Sequence, residues 1–217
     1  MAKNKAHTKY YLKDGTLVPG TTTITGELGW GKSALIAWAN NLGLKGLSSA
    51  KFRDDKAEIG TLAHGLILEN HGGEKFDTSD YSKNQIDSAE NSVISYYEWL
   101  KGKKLEPILV EKPLISEQHK FGGTPDNYCK LDGISTLLDY KTGKGIYLEH
   151  WIQVAGGYNL LLLETGHQVE QIMILNIPRT EDESFQQKVI NANQAEICEK
   201  IFLKCLDIYN LHKQLKD

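Results

Sequence analysis

Residues 124–141 run Thr-Pro-Asp, twelve residues, then Asp-Tyr-Lys, which makes Asp126, Asp139 and Lys141 the first candidates for chemistry. In an extended strand, successive side chains point to opposite faces. Asp139 and Lys141 then project together, Tyr140 points away, and Asp126 joins them from the neighbouring strand. Two hard carboxylates suit Mg²⁺ or Mn²⁺, ions that keep several waters and bridge to phosphate oxygens. A lysine beside them can hold a phosphate or help to deprotonate a metal-bound water. The set reads as a centre for metal-dependent phosphodiester hydrolysis.

The residues around this triplet extend the pattern. Gly122-Gly123-Thr124-Pro125-Asp126 precedes Leu138-Asp139-Tyr140-Lys141-Thr142-Gly143, with Gly60-Thr61-Leu62-Ala63-His64 upstream and a helix carrying Gln153 and Tyr158 downstream. In this order the four motifs resemble the PD-(D/E)XK nuclease superfamily, and within it the RecB-like branch of small stand-alone phage or mitochondrial-type exonucleases. The resemblance implies that His64, Asp126 and Asp139 surround a Mg²⁺ or Mn²⁺ ion, that Lys141 orients the attacking water, and that Gln153 lies at the edge of the site with Tyr158. Relatives often place the tyrosine four residues after the glutamine, one α-helical turn on the same face; here the separation is five. Three cysteines are too few for the iron–sulfur cluster of some relatives, which needs four thiolates. DNA is the implied partner, along with a recombination or replication protein.

The chain has 217 residues, 40% of them apolar and 24% charged, enough for one substantial core. The expected division is an N-terminal hairpin-helix appendage over residues 1–49 and a nuclease domain over 50–217. Cys129, Cys198 and Cys205 show no C-x-x-C spacing, and the last two are set to share a core-facing helix stripe, so neither a disulfide framework nor a zinc site is indicated. The opening Met-Ala-Lys-Asn-Lys-Ala-His has no apolar leader and no stretch approaches the length of a membrane span, which points to a cytoplasmic protein. Net charge is −3, but unevenly spread: residues 1–56 hold nine Lys/Arg against four Asp/Glu, and residues 57–217 sixteen against twenty-four. The basic end is either a phosphate-facing surface or a solvated terminus. Lys32 and Lys144 are candidate phosphate contacts, and Trp30 and Trp151 candidate stacking platforms for bases.

Patterning sets out the elements. A hairpin is expected over residues 10–25 with its turn at Asp14-Gly15, then a short helix over 33–42. Ile59, Leu62, Ala63, Leu66 and Ile67 mark the buried side of a helix over 50–71 that carries His64. A second helix spans 82–101, with Asp77-Thr78-Ser79-Asp80 offering N-caps. Strands follow at 106–115, 120–131 and 135–141, the last two joined by Asp132-Gly133, a hairpin signal. A helix over 148–164, a strand over 169–177 and an amphipathic helix over 191–216 complete the chain. The resemblance makes this an α/β fold with an α-β-β-β-α-β restriction-endonuclease-like core, a mixed central sheet flanked by helices. Periodicity by itself gives a mixed α/β domain without strand directions.

One rival motif stands out. Gly26-Glu27-Leu28-Gly29-Trp30-Gly31-Lys32-Ser33 fits G-x-x-x-x-G-K-[ST], the phosphate-cradling P-loop, between an expected β-branched strand and a helix. A P-loop nucleotide hydrolase is therefore the alternative function, and a nucleic-acid-binding module without catalysis a third. Glu111 lies mid-strand, where a carboxylate suits a third acidic ligand, a water-positioning group or a salt bridge. His150 and Trp151 fit either the core or the lining of a channel for the nucleic-acid strand, stacking on its bases.

Overall fold

The computed structural model describes residues 8–30, 32–180 and 183–215. Five strands form the central sheet: β3 (Leu105–Val110), β6 (Asn127–Leu131), β7 (Ile134–Thr142), β8 (Gln171–Ile177) and β9 (Gln186–Ile190), side by side in that order. Only β7 and β8 are parallel; every other neighbouring pair is antiparallel. Asp132 and Gly133, both at positive φ, close the β6–β7 hairpin as expected. Two further two-stranded pieces, β1 (Tyr10–Tyr11) with β2 (Leu17–Val18) and β4 (Leu114–Ser116) with β5 (Phe121–Gly123), are bridged at Gly20 and Gly122.

Helices cover both faces of the sheet. On one face lie α3 (Ser49–Glu69) and α4 (Lys83–Leu100), and their side chains Ile67, Leu68, Tyr96 and Trp99 pack on Cys129, Leu138, Tyr140 and Met173. On the other, a continuous helical run comprises α5 (Leu148–Trp151), a π-helix (Ile152–Tyr158) and α6 (Asn159–Glu164). The long α7 (Ala192–Gln214) packs behind it, with Cys198, Phe202 and Cys205 in the same core as Tyr128, Leu137 and Ile174. The expected order of helix, three strands, helix and strand is thus present. The segment ahead of residue 50 is tied to this core, because α1 (Thr21–Thr25) buries Ile24 completely among its side chains. Its continuation α2 (Lys32–Leu44) buries no residue and leaves Leu35, Ile36 and Leu44 exposed. No helix among the described residues is long and apolar enough to cross a membrane.

The chain departs from its sequence pattern where proline or packing overrides propensity. The strand expected over 106–115 splits at Glu111, whose φ is +44, and Pro113, which has no N–H for a ladder, follows two residues later. Pro125 likewise divides the strand expected over 120–131, so that its two halves belong to different sheets. Residues 21–25 are helical instead of extended: Thr21 and Ile24, three apart, both turn into the core, and burial on one face outweighs the β preference of the threonines. The N-cap of α4 is Ser82, in a reciprocal capping box with Gln85, while Asp77 closes a turn onto the Ser79 amide at 2.9 Å. The polar strand β9 has no signal in the pattern. The opening residues 1–7 and position 216, assigned from sequence to a basic terminus and a helix end, lie outside the described residues.

The π-helix depends on close packing. A Cβ on Gly156 would come within 2.6 Å of the Cys198 carbonyl oxygen and 2.8 Å of the Phe202 Cβ, and backbone cannot yield as a flexible side chain does. Gly156→Ala should therefore destabilise the protein by about 2 kcal/mol through overpacking, measured by urea unfolding. A variant as stable as the parent would show that α7 moves away freely.

Candidate active site at the β6–β7 corner

Strand alternation places the candidate residues. Leu137 faces the core on the π-helix side and Leu138 and Tyr140 the core on the α3–α4 side, so Asp139 and Lys141 point with Leu137 toward the π-helix. Asp126, just ahead of β6, shares the face of Tyr128. Its position is locked across the hairpin: the Tyr140 amide donates to Asp126 Oδ2 at 2.8 Å. His64 reaches the same oxygen from α3, with Nδ1 3.6 Å away. Lys141 Nζ lies 2.7 Å from Asp139 Oδ2 and donates to Gln153 Oε1 at 3.3 Å. Gln153 in turn donates from Nε2 to the Tyr158 hydroxyl at 2.7 Å.

That last bond resolves the five-residue spacing. Residues 152–158 are π-helical, with i→i+5 bonding that brings positions five apart onto one face, so Gln153 and Tyr158 meet as an i,i+4 pair would in an α-helix. Gly123 makes room for the tyrosine ring, since a Cβ there would stand 2.8 Å from Tyr158 Cε1. The structure therefore brings together His64, Asp126, Asp139, Lys141, Gln153 and Tyr158.

Burial sets the charges. It drives the Asp139 carboxyl up to about 6, against the pull of Lys141 and with some help from the charge of Asp126. Burial would raise Asp126 too, but the facing His64, then Lys141 and the Tyr140 amide, hold it below its ordinary value. His64 and Lys141 both lie above theirs, because the carboxylates outweigh the cost of burying a cation. His150 is pushed down to about 4 by burial and by Lys141, and its Nδ1 accepts from the Tyr147 amide at 3.2 Å. It is a neutral helix cap.

Asp126 opens onto a cavity of about 1250 Å³ whose walls include Tyr10, Thr21, Thr124, Tyr158 and Lys213, so the N-terminal hairpin and α1 form part of its lining. Glu111 lines this cavity and also a second one of about 440 Å³ beside His64, Lys56 and Thr142. Its amide donates to the Asp126 carbonyl at 3.0 Å, and its φ of +44 is a strained conformation of the kind found at functional sites. Tyr10 and Thr124, whose hydroxyls lie 2.9 Å apart, were missed from sequence; a tyrosine in a remote hairpin carries no signal that it will reach a strand so far along the chain. Trp30, Lys32 and Lys144 line neither cavity, and Trp151 packs toward a separate groove with Leu148 and Ile197.

Asp139 Oδ2 is fully buried, and its contact is the Lys141 ammonium at 2.7 Å. Among the described residues no group of three or more His, Cys, Asp or Glu side chains is placed to hold a metal ion, so the fit rests on the two carboxylates. Two carboxylates with a neighbouring imidazole fit an ion that retains waters and takes phosphate oxygens, as Mg²⁺ or Mn²⁺ does, and do not fit a fully caged zinc. Among the described residues of the P-loop pattern, the expected strand is replaced by α1 and a 3₁₀ turn over Gly26–Leu28, and Lys32 folds back against Gly29; Gly31 lies outside the described residues.

No protein-family model and no curated protein matches the chain. Among solved structures, a candidate exonuclease from Eubacterium rectale aligns over 69% of this chain and 68% of its own, at 10% identity and a TM-score of 0.42. An alkaline exonuclease from Laribacter hongkongensis aligns over 72% of this chain and 83% of its own, at 15% identity and a TM-score of 0.34, and its complex with dAMP gives 0.35 with the same identity and coverage. At such identities and TM-scores the likeness bears on neither the residues of the site nor a substrate.

An acid whose folded pKa is raised stabilises the fold below its unfolded value, and that contribution is lost as pH rises through the folded one. For Asp139 the window runs from 3.8 to about 6. In the metal-free protein, Asp139→Asn should thus gain stability relative to the parent as pH rises across this window, checked by urea unfolding on either side of it. A constant difference would place Asp139 in a better-solvated setting.

Proposed function

We propose that the chain is a divalent-metal-dependent deoxyribonuclease of the PD-(D/E)XK superfamily, an exonuclease on single-stranded or frayed DNA ends. One observation carries the reading: Asp126, Asp139 and Lys141 converge at one corner of the β6–β7 hairpin, Asp139 buried and Asp126 opening onto a cavity of about 1250 Å³. In this role Asp126 and Asp139 hold the metal, and His64 steadies the Asp126 carboxylate. When bound, Mg²⁺ or Mn²⁺ supplies positive charge to the scissile phosphate and acidity to a water. Lys141 is held protonated by the carboxylates beside it, so it serves as a cationic donor to the water or the phosphate and not as a base. Gln153, bonded to both Lys141 and Tyr158, fixes the direction of that ammonium.

The enclosing N-terminal segment favours a strand that enters by an end. Its hairpin and α1 help to wall the cavity that Asp126 faces, and the polar lining, with Thr21, Thr124 and Lys213, suits a phosphate backbone without selecting a base sequence.

End-labelled single- and double-stranded DNA incubated with Mg²⁺ or Mn²⁺, without ATP, tests the reading. Cleavage should stop with EDTA and fall about a hundredfold or more in Asp139→Ala, the scale on which one preorganised electrostatic group acts. Lys141→Ala should abolish turnover while DNA binding persists. Cleavage by a clean preparation in EDTA would overturn the metal assignment, and ATP hydrolysis that depends on Lys32 would favour the nucleotide hydrolase. Linear single strands should be degraded while closed circles of the same sequence survive; equal rates on both would make the enzyme an endonuclease.

A further inference from the structure

The face of the hairpin that turns away from the acids carries a second polar system. Asn127 follows Asp126, and Tyr140 lies between Asp139 and Lys141, so the two backbone segments that present the site also present these side chains to the opposite core. Asn127, Tyr140 and Tyr96 are fully buried. Asn127 Nδ2 donates to the Tyr140 hydroxyl at 3.3 Å, and that hydroxyl donates to the Tyr96 hydroxyl at 3.4 Å. The Tyr96 hydroxyl stands 2.6 Å from His71 Nε2. Tyr140 meets Tyr96 edge to face with ring centroids 5.3 Å apart, and His64 meets Tyr140 in the same manner at 6.0 Å.

Proton counting gives this chain a direction. The Tyr140 hydroxyl accepts from Asn127 and spends its one proton on Tyr96. The Tyr96 hydroxyl, accepting that proton, has its own left for His71. In that direction His71 Nε2 is an unprotonated acceptor, with the ring proton on Nδ1; the opposite tautomer would reverse the chain. Burial acts in the same sense by holding the imidazole below its ordinary value. Four groups on four elements are thus joined in one line: β6, β7, α4 and the residues just past α3. An apolar core would fill this space without the cost of burying hydroxyls and an amide, and what the polar chain adds is a single allowed register.

We infer that Asn127, Tyr140, Tyr96 and His71 form a one-way hydrogen-bond relay that positions the Asp126 and Asp139 carboxylates from beneath. The four are positioning residues: each acts through the backbone of residues 126–127 and 139–141, whose link is the Tyr140 amide bond to Asp126. What is positioned rests on the nuclease reading above; the relay itself does not.

Proton–nitrogen correlation spectra of the histidine rings in the whole protein test the direction, and should show His71 neutral with its proton on Nδ1. A protonated Nε2 at neutral pH overturns the relay. Tyr96→Phe and Tyr140→Phe test the role. Each should lower kcat on linear single-stranded DNA about tenfold at unchanged KM and weaken calorimetric Mn²⁺ binding by a similar factor, as loss of an outer-sphere partner does. Should a tyrosine variant misfold, the pair at half-buried His71 keeps the test open: His71→Gln retains an acceptor and should preserve Mn²⁺ affinity, and His71→Leu should not. Variants that lose stability but keep the kcat and Mn²⁺ affinity of the parent reduce the relay to core packing and overturn the proposal. If the parent cuts no DNA or binds no Mn²⁺, the nuclease reading falls while the His71 tautomer still decides the relay.

Discussion

Asp139 is buried and Asp126 partly buried in one corner of the sheet, and like charges in a poorly solvated place repel. The surroundings answer that repulsion unequally. Asp126 receives the Tyr140 amide and faces His64, and it keeps its charge easily. Asp139 has its contact with Lys141 at 2.7 Å and the weaker pull of His64, which do not offset its burial, and its carboxyl climbs to about 6. The difference leaves Asp139 the more readily protonated of the two carboxylates, on the side where Lys141 and Gln153 are fixed.

The Asp139–Lys141 pair is weak evidence for stability. Replacing a buried ion pair by apolar residues of similar volume is often neutral or stabilising, whereas removing one partner costs about 3–5 kcal/mol. A fold that needed only a packed corner would have no reason to hold both charges there. Both charges, with a histidine, a glutamine and a tyrosine arranged around them, are what the proposed nuclease chemistry would use and what folding alone would not require.

Much of this was legible before the structure. Period-two alternation sufficed to put Asp139 and Lys141 on one face and Tyr140 on the other, and helical spacing identified the buried side of α3 with Ile59, Leu62 and Ala63. Asp132-Gly133 announced its hairpin through the positive φ that both positions adopt. Other features depend on contacts far along the chain. The parallel pairing of β7 and β8 is decided by how the intervening helix packs, and β9, with Gln186, Gln187 and Lys188, joins the sheet through its backbone rather than through an apolar stripe. Thr21–Thr25 is helical only because Ile24 finds the core beside the π-helix and α7.

The separation of Gln153 and Tyr158 shows how a residue count can mislead when the helix type is assumed. Five residues in an α-helix turn through 500°, which leaves the two side chains well apart; one π-helical turn brings them to a hydrogen bond of 2.7 Å. The π-helix is costly in isolation, and here it is held between the sheet and α7 by Gly156 and Gly157, where a Cβ would strike Cys198, Phe202 or Thr21. The glycines that permit the close packing and the glutamine that reaches Lys141 lie in the same seven residues. The position of the Lys141 ammonium is thus tied to a helix whose irregular winding is enforced from the far side of the core, so packing around Phe202 and the placement of Lys141 beside Asp139 are mechanically one problem.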